Sequence, residues 1–132
     1  MDHTVKVENY PKSISGKKDD VIDGKLNYMY IHPHALYQVG AAFSAGKDKY
    51  GAWNYLNGHK ASVLQSAAKR HMDAWFYARE EYDEDCSNRV GMDVSHLANA
   101  IAELVMALGQ IAEGTIVDDR PEHPLKFKIT KK

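Results

Sequence analysis

The sequence predicts an all-α fold: a compact bundle of three main helices with short helical turns, completed by oligomerisation. Three stretches carry that prediction. The run from Asp93 to Glu113, DVSHLANAIAELVMALGQIAE, is apolar except for His96, Asn99, Glu103 and Gln110 in its interior. At about 100° per residue those four fall within roughly 60° of one another, a polar line along an otherwise apolar helix. A helix apolar nearly all round is normally buried. A carboxylate on it, Glu103, costs several kcal/mol unless it is paired, bound to a metal or protonated. The second stretch runs from about His59 to at least Tyr82, where Leu64, Ala67, Ala68, His71, Ala74, Trp75, Ala78 and Tyr82 form one stripe. The third begins at Pro33, with Leu36, Val39, Gly40 and Phe43 at helical spacing.

In chain order, residues 1–24 read as an irregular polar arm, lysine-rich and unpatterned, with Pro11 and Gly16. VIDGKLNYMYI reads as an extended lead-in. Pro33 opens the first helix and Gly46 is its expected stop. The glycines and asparagines of GKDKYGAWNYLNG make Gly46 to Gly58 a loop. Its aromatics Tyr50, Trp53 and Tyr55 imply that it is packed down or holds something. After the second helix comes EEYDEDCSNRVG, an acidic cluster followed by a turn. Asp93 suits the N-cap of the last helix and Gly114 its end. The tail, 115–132, holds Pro121, Pro124 and then FKIT, a candidate edge strand. The all-α domain is thus expected over 25–114.

Composition narrows the function. At 132 residues the chain is one domain with room for a core. A net charge of −1 offers no general polyanion-binding surface, so nucleic acid is not an expected partner. The single cysteine, Cys86, excludes an internal disulfide framework and any CxxC zinc site, and fits a reducing compartment. The N-terminus lacks the apolar core of a signal peptide. His96, Asn99 and Glu103 argue against a membrane span in the last helix. The expected location is the cytoplasm.

Three groups of residues could carry chemistry. Glu80, Glu81, Asp83, Glu84 and Asp85 crowd what reads as a helix C-terminus, where carboxylates oppose the macrodipole. They form either a solvated helix end or a divalent-cation site. Mg²⁺ takes one or two carboxylates together with waters and substrate phosphates. On a regular helix Glu81 and Asp85 point toward the buried stripe, while Glu80 lies on the far side. The second group is Arg70 and His71 with the polar line. Arg70 suits bidentate phosphate contact, and Asn99 and Glu103 could face the acidic cluster as metal ligands, much as carboxylates do on facing helices of bundles. The line could equally be a buried polar network. The third group is the loop: Lys47 and Lys49 within reach of phosphates, and Tyr50 or Trp53 stacking on a base.

KLNYMYIHPHAL, GKDKYGAWNY, AAKRHMDAW, REEYDEDC and SHLANAIAEL, in that order over Lys25 to Glu113, together resemble the phage-type dATP/dGTP diphosphohydrolase family. That family is grouped with the all-α, MazG-like nucleotide pyrophosphohydrolases. Lys49, Tyr50 and Gly51 match the family's KYG, and Asn54 matches the asparagine of its NW. Arg70 and His71 match RH. Glu80 and Asp83 match GExxD, with Arg79 in place of the glycine. His96 matches the first histidine of HxxH, Asn99 replaces the second, and Glu103 stands near the family's asparagine. One extra residue separates RH from the acidic pair, so alignment favours Glu80 with Asp83 where the wheel favours Glu81 with Asp85. A break near Ala78 to Glu80 would reconcile the two.

The resemblance implies cleavage of a deoxynucleoside triphosphate, dATP or dGTP, between the α- and β-phosphates, giving monophosphate and pyrophosphate. The cytoplasm would be the host's if the chain is phage-encoded. The expected cofactor is Mg²⁺, with Mn²⁺ as a substitute, held by Glu80, Glu81, Asp83, Glu84, Asn99 and Glu103. Catalytic roles are expected for Glu81 or Glu84 as base, with Arg70 and His71. Lys47, Lys49, Tyr50, Trp53, Asn54 and His96 are expected to bind substrate. A homodimer or homotetramer is expected to cover the surplus apolar helix surface. Two rival readings stand beside this one. A non-catalytic protein on the same scaffold would sequester a nucleotide or bind a host partner. An HD-type phosphohydrolase would need an adjacent His-Asp pair, and the sequence offers only Asp2-His3, in reverse order.

Overall fold

A computed structural model describes residues 26–126. Among them are four α-helices, α1 (Pro33–Tyr50), α2 (Ala61–Phe76), α3 (Glu84–Val90) and α4 (His96–Glu113), with 3-10 turns at Tyr28–Tyr30 and Asn54–Asn57. No strand forms among the described residues, only isolated bridges from Lys60 to Val117 and from Tyr82 to Ser95. The fold is all-α. No helix among these residues is long and apolar enough to cross a membrane. The expected arm, 1–24, and the FKIT segment lie outside the described residues.

The chain divides into two compact units, Met1–Ile31 and His32–Lys132. Of the first, Leu26 to Ile31 are described. The end of the expected extended lead-in is instead the turn Tyr28–Tyr30, because the Asn27 side chain accepts the Met29 N–H at 2.9 Å and closes it.

In the second unit, Pro33 occupies the first turn of α1 as expected, and His32 Nδ1 accepts the His34 N–H at 3.1 Å. The helix does not stop at Gly46. A glycine inside a helix costs only about 1 kcal/mol, and Lys47 and Lys49 in the last turn favour the dipole. The helix ends at Gly51, whose φ of +92° suits glycine. At the start of α2, Lys60 gives no side-chain cap. The tail supplies one: Val117 bridges Lys60, and the Asp119 carboxylate accepts the Ser62 N–H at 2.9 Å and also its hydroxyl.

The largest correction concerns the end of α2, which stops at Phe76 and not beyond Tyr82. The chain reverses through Arg79, which has a left-handed φ of +56°. Asp83 then becomes the N-cap of α3, its Oδ1 accepting the Cys86 N–H at 2.9 Å. Glu84 and Asp85 fall in the first turn of that helix. There their charges favour the macrodipole instead of opposing it, so the electrostatic strain expected of this cluster does not arise. Helix α4 is capped by Ser95 and not Asp93: the serine hydroxyl oxygen accepts the Leu97 N–H at 3.1 Å. Gly114 ends it in a left-handed conformation, as expected.

The core is built from small residues. Ala41 and Ala42 of α1 meet Ala98 and Ala102 of α4 around Val94, with Phe43, Cys86, Val90 and Met92 packed against them. Helix α4 buries Ala98, Ala100 and Ala102 together with His96, Asn99 and Gln110, leaving Ile101, Leu104, Val105, Leu108 and Ile111 exposed. Each would contribute roughly 1.5–3 kcal/mol if fully buried. Two glutamines supply directional restraint that an alanine core lacks. Gln38 of α1 donates to the Asp93 carbonyl and accepts the Ser95 N–H, both at 2.8 Å. Gln110 of α4, fully buried, accepts the His59 N–H at 2.9 Å and donates to the Tyr55 carbonyl at 2.8 Å.

Candidate active site

Those restraints frame a cleft of about 890 Å³ whose walls come from α1, the 51–59 segment, α2, α3 and α4. The last turn of α1 brings Lys47, Lys49 and Tyr50 to it, and the following segment brings Trp53, Asn54 and Tyr55. Gln110 anchors the end of that segment, so its aromatics are held against the helices. Tyr55 packs edge-on against Phe43 with ring centroids 5.5 Å apart, and Trp53 lies 6.2 Å from Tyr55. Trp53 also has a left-handed backbone, φ +64°, and remains 70% exposed, its ring available to a planar ligand.

The opposite wall is ionic. Arg70 and His71 of α2, Asp83, Asp85 and Arg89 around α3, and Asn99 and Glu103 of α4 all line the cleft. Arg89 pairs with Asp85 at 3.1 Å and Asp48 at 3.0 Å, and Lys49 lies 3.8 Å from Asp85. Arg70 donates to Ser66 at 3.0 Å. Burial pushes the Glu103 carboxyl above its ordinary range, with the Arg70 charge opposing it.

Deeper in, His71 Nδ1 and His96 Nδ1 stand 3.0 Å apart, and each is 3.9 Å from Asp83 Oδ2. On its other side, His96 Nε2 lies 3.3 Å from Glu80 Oε2. The backbone fixes this arrangement: the Asp83 N–H donates to the Val94 carbonyl at 2.8 Å and the His96 N–H to the Glu81 carbonyl at 3.3 Å. Burial, then His96, pushes the His71 imidazole below its ordinary range, against the pull of Asp83.

Of the residues expected from the sequence to form a site, Lys47, Lys49, Tyr50, Trp53, Asn54, Arg70, His71, Asp83, Asn99 and Glu103 line the one cleft. His96 and Glu80 stand behind it, joined to His71 and Asp83. Glu81 turns away to accept the Trp75 indole N–H at 3.3 Å. Glu84 is exposed in the first turn of α3. The break after Phe76 decides this placement. It carries Glu80, which a continuous helix would put on the far side, round to His96.

Arg89 and Cys86 also line the cleft and carried no expectation from the sequence. The Asp85-Arg89 spacing of four is a helical ion-pair signal, legible only if Asp83 is read as an N-cap. Cys86 stands with Asp83 and Asp85 in a group of possible donors. Burial, and then the Asp83 charge, pushes its thiol up to about 11. It is a protonated thiol near neutral pH.

A family model described as dATP/dGTP diphosphohydrolase, N-terminal, matches residues 15–120. The chain belongs to that family. The matched span contains all four helices and every residue of the cleft. No curated protein and no solved structure matches the chain. Arg79, which the sequence resemblance sets against a glycine, holds a left-handed conformation that glycine takes without strain.

Proposed function

We propose that this chain hydrolyses deoxynucleoside triphosphates, dATP and dGTP foremost, to the monophosphate and pyrophosphate with a divalent cation. The observation that carries the proposal is the single cleft in which an aromatic wall faces a cationic and acidic one. Its volume lies in the range of small-molecule sites, and the family supplies the hydrolase class.

The residues divide the substrate between them. Trp53 and Tyr50 stack on the base, each such contact worth about 1–3 kcal/mol, and Asn54 meets the base edge. Lys47, Lys49 and Arg70 bind the phosphate chain and stabilise charge on the departing pyrophosphate. Glu103 takes a proton from the attacking water, since its raised carboxyl pKa moves it toward the range a general base needs. The water oxygen bonds to the α-phosphorus. The bond from that phosphorus to the oxygen bridging to the β-phosphate breaks, and its electron pair leaves with pyrophosphate.

Asp83 and Asp85 present carboxylates, and His71 an imidazole, to the cleft. Asp83, shared between the neighbouring donors, would hold a divalent cation, Mg²⁺ or Mn²⁺, with phosphate oxygens and waters completing its shell. Such an ion would neutralise phosphate charge and lower the pKa of a bound water.

The exposed stripe of α4 supports a second copy as partner. Ile101, Leu104, Val105, Leu108 and Ile111 follow helical spacing on one face, and a homo-oligomer would cover them.

The test is incubation of the protein with each deoxynucleoside triphosphate and Mg²⁺ or Mn²⁺, with products separated by chromatography. Monophosphate with equimolar pyrophosphate is expected. Nucleoside with tripolyphosphate would replace this reading with an HD-type one. Tight binding without turnover would make the protein a nucleotide sequesterer.

A further inference from the structure

We propose that His71 Nδ1, His96 Nδ1 and Asp83 Oδ2 form a two-histidine, one-carboxylate site for a divalent transition-metal ion such as Mn²⁺, Co²⁺ or Zn²⁺, and that Glu80 orients His96 within it. The inference deepens the proposed function by naming the cation class of the same cleft, and it rests on that reading only for what the ion does. Binding itself needs no nucleotide.

The spacing of the donor atoms already suits one ion. Ligands about 2.0–2.2 Å from one ion stand roughly 3.0–3.5 Å from each other in octahedral or tetrahedral arrangements. The two imidazole nitrogens are already 3.0 Å apart, and each is 3.9 Å from Asp83 Oδ2. All three donor atoms lie within 4.8 Å of one another. Sub-ångström movement would bring all three within ligand distance of one ion.

The groups around the donors orient them as a metal site requires. A metal-bound imidazole commonly donates its other ring N–H to a carboxylate, which fixes the tautomer and raises ligand basicity. Glu80 Oε2 sits 3.3 Å from His96 Nε2, on the opposite side of the ring from Asp83. With the proton on Nε2, His96 Nδ1 presents a lone pair toward His71. Asp83 is held from behind as well, because its Oδ1 caps α3 while Oδ2 faces the imidazoles.

Donor chemistry selects the ion. Mg²⁺ prefers an all-oxygen shell, whereas imidazole suits the first-row transition metals, with affinity rising from Mn²⁺ to Cu²⁺ and falling back at Zn²⁺. Among the described residues, each group of three clustered donors contains nitrogen or sulfur. No third carboxylate completes an oxygen-only set. His71 and Asp83 also line the cleft, so the remaining coordination positions open toward a substrate phosphate or water.

The experiment titrates the full chain, stripped of metal and without nucleotide, with Co²⁺ read by visible absorption, and with Mn²⁺ and Mg²⁺ read by calorimetry. One Co²⁺ per chain with nitrogen-shifted d–d bands is expected, and Mn²⁺ should bind at least 10-fold tighter than Mg²⁺. His71→Ala should abolish the Co²⁺ bands. Glu80→Gln, at an exposed position that tolerates change, should weaken binding about 10- to 100-fold while circular dichroism stays unchanged. Equal affinity for Mg²⁺ and Mn²⁺, or Co²⁺ bands that survive His71→Ala, would overturn the site. If Co²⁺ binds at His71 and no nucleotide is hydrolysed, the functional reading fails and this one stands. If Mg²⁺ alone sustains hydrolysis in His71→Ala, the reverse holds.

Discussion

Gln110 of α4 holds the aromatic wall in place by direct contact with its backbone. Its amide satisfies the His59 N–H and the Tyr55 carbonyl from a position with no solvent exposure. Replacing it with leucine strands both groups, and an unsatisfied buried donor or acceptor costs about 1–3 kcal/mol. Gln110→Leu should lower unfolding free energy by that order in urea denaturation and weaken nucleotide binding by loosening Trp53. An unchanged midpoint would show that the clamp is dispensable. Glu103 has the opposite sign. Burial raises its pKa in the fold above the unfolded value of 4.5, so folding favours the protonated form. The stability this gives is complete below about 4.5 and is lost as pH rises through the folded pKa. Glu103→Gln should therefore melt higher than the native chain at pH 7, with the gap closing toward pH 4, and should lose turnover. A Gln variant that melts lower at pH 7 would contradict the burial argument. The polar line on α4 was legible from residue spacing, but its division of labour was not. His96 holds His71, Glu103 faces the cleft and Gln110 clamps a loop, and those partners come from segments that spacing within α4 cannot see.

At the scale of elements, the reversal after Phe76 sets which carboxylates meet the histidines. The apolar stripe of α2 continues in sequence through Ala78 and Tyr82, and neither glycine nor proline interrupts it. Hydrophobic period therefore predicts a helix six residues too long. The contrary signal was present in Asp83 followed by Glu84 and Asp85, an N-cap with an acidic first turn. Arg79 pays in backbone strain for a turn that glycine makes freely. Arg79→Gly should raise stability by about 1 kcal/mol, read as an upward shift in melting temperature. A downward shift would mean that the arginine side chain stabilises the turn more than its backbone strains it. The Pro33 start and the Gly114 stop were readable because both rest on local backbone preferences. The tail's capping of α2 was not, since Asp119 lies 57 positions from Ser62.

The molecule as a whole places small residues inside and a band of large ones outside. Sequence patterning anticipated that α4 would be buried, and the single chain buries only Ala98, Ala100, Ala102, His96, Asn99 and Gln110 of it. Leu108, 68% exposed, stands in the middle of the uncovered stripe. If a second copy covers it, Leu108→Glu should convert the native oligomer to monomer in light scattering after size exclusion; a native chain that is already monomeric would remove the proposed interface. The central claim is that the cleft hydrolyses dATP and dGTP between the α- and β-phosphates, and it depends on Asp83 joining the two histidines to the substrate side. Its most direct test measures pyrophosphate release from dGTP by the native chain and by Asp83→Asn, with Mg²⁺ or Mn²⁺ and matched circular dichroism. The native chain should release dGMP and pyrophosphate in equal amounts, and the variant should lose about 100-fold or more of that activity. Undiminished turnover by Asp83→Asn, or none by the native chain with either metal, would contradict it.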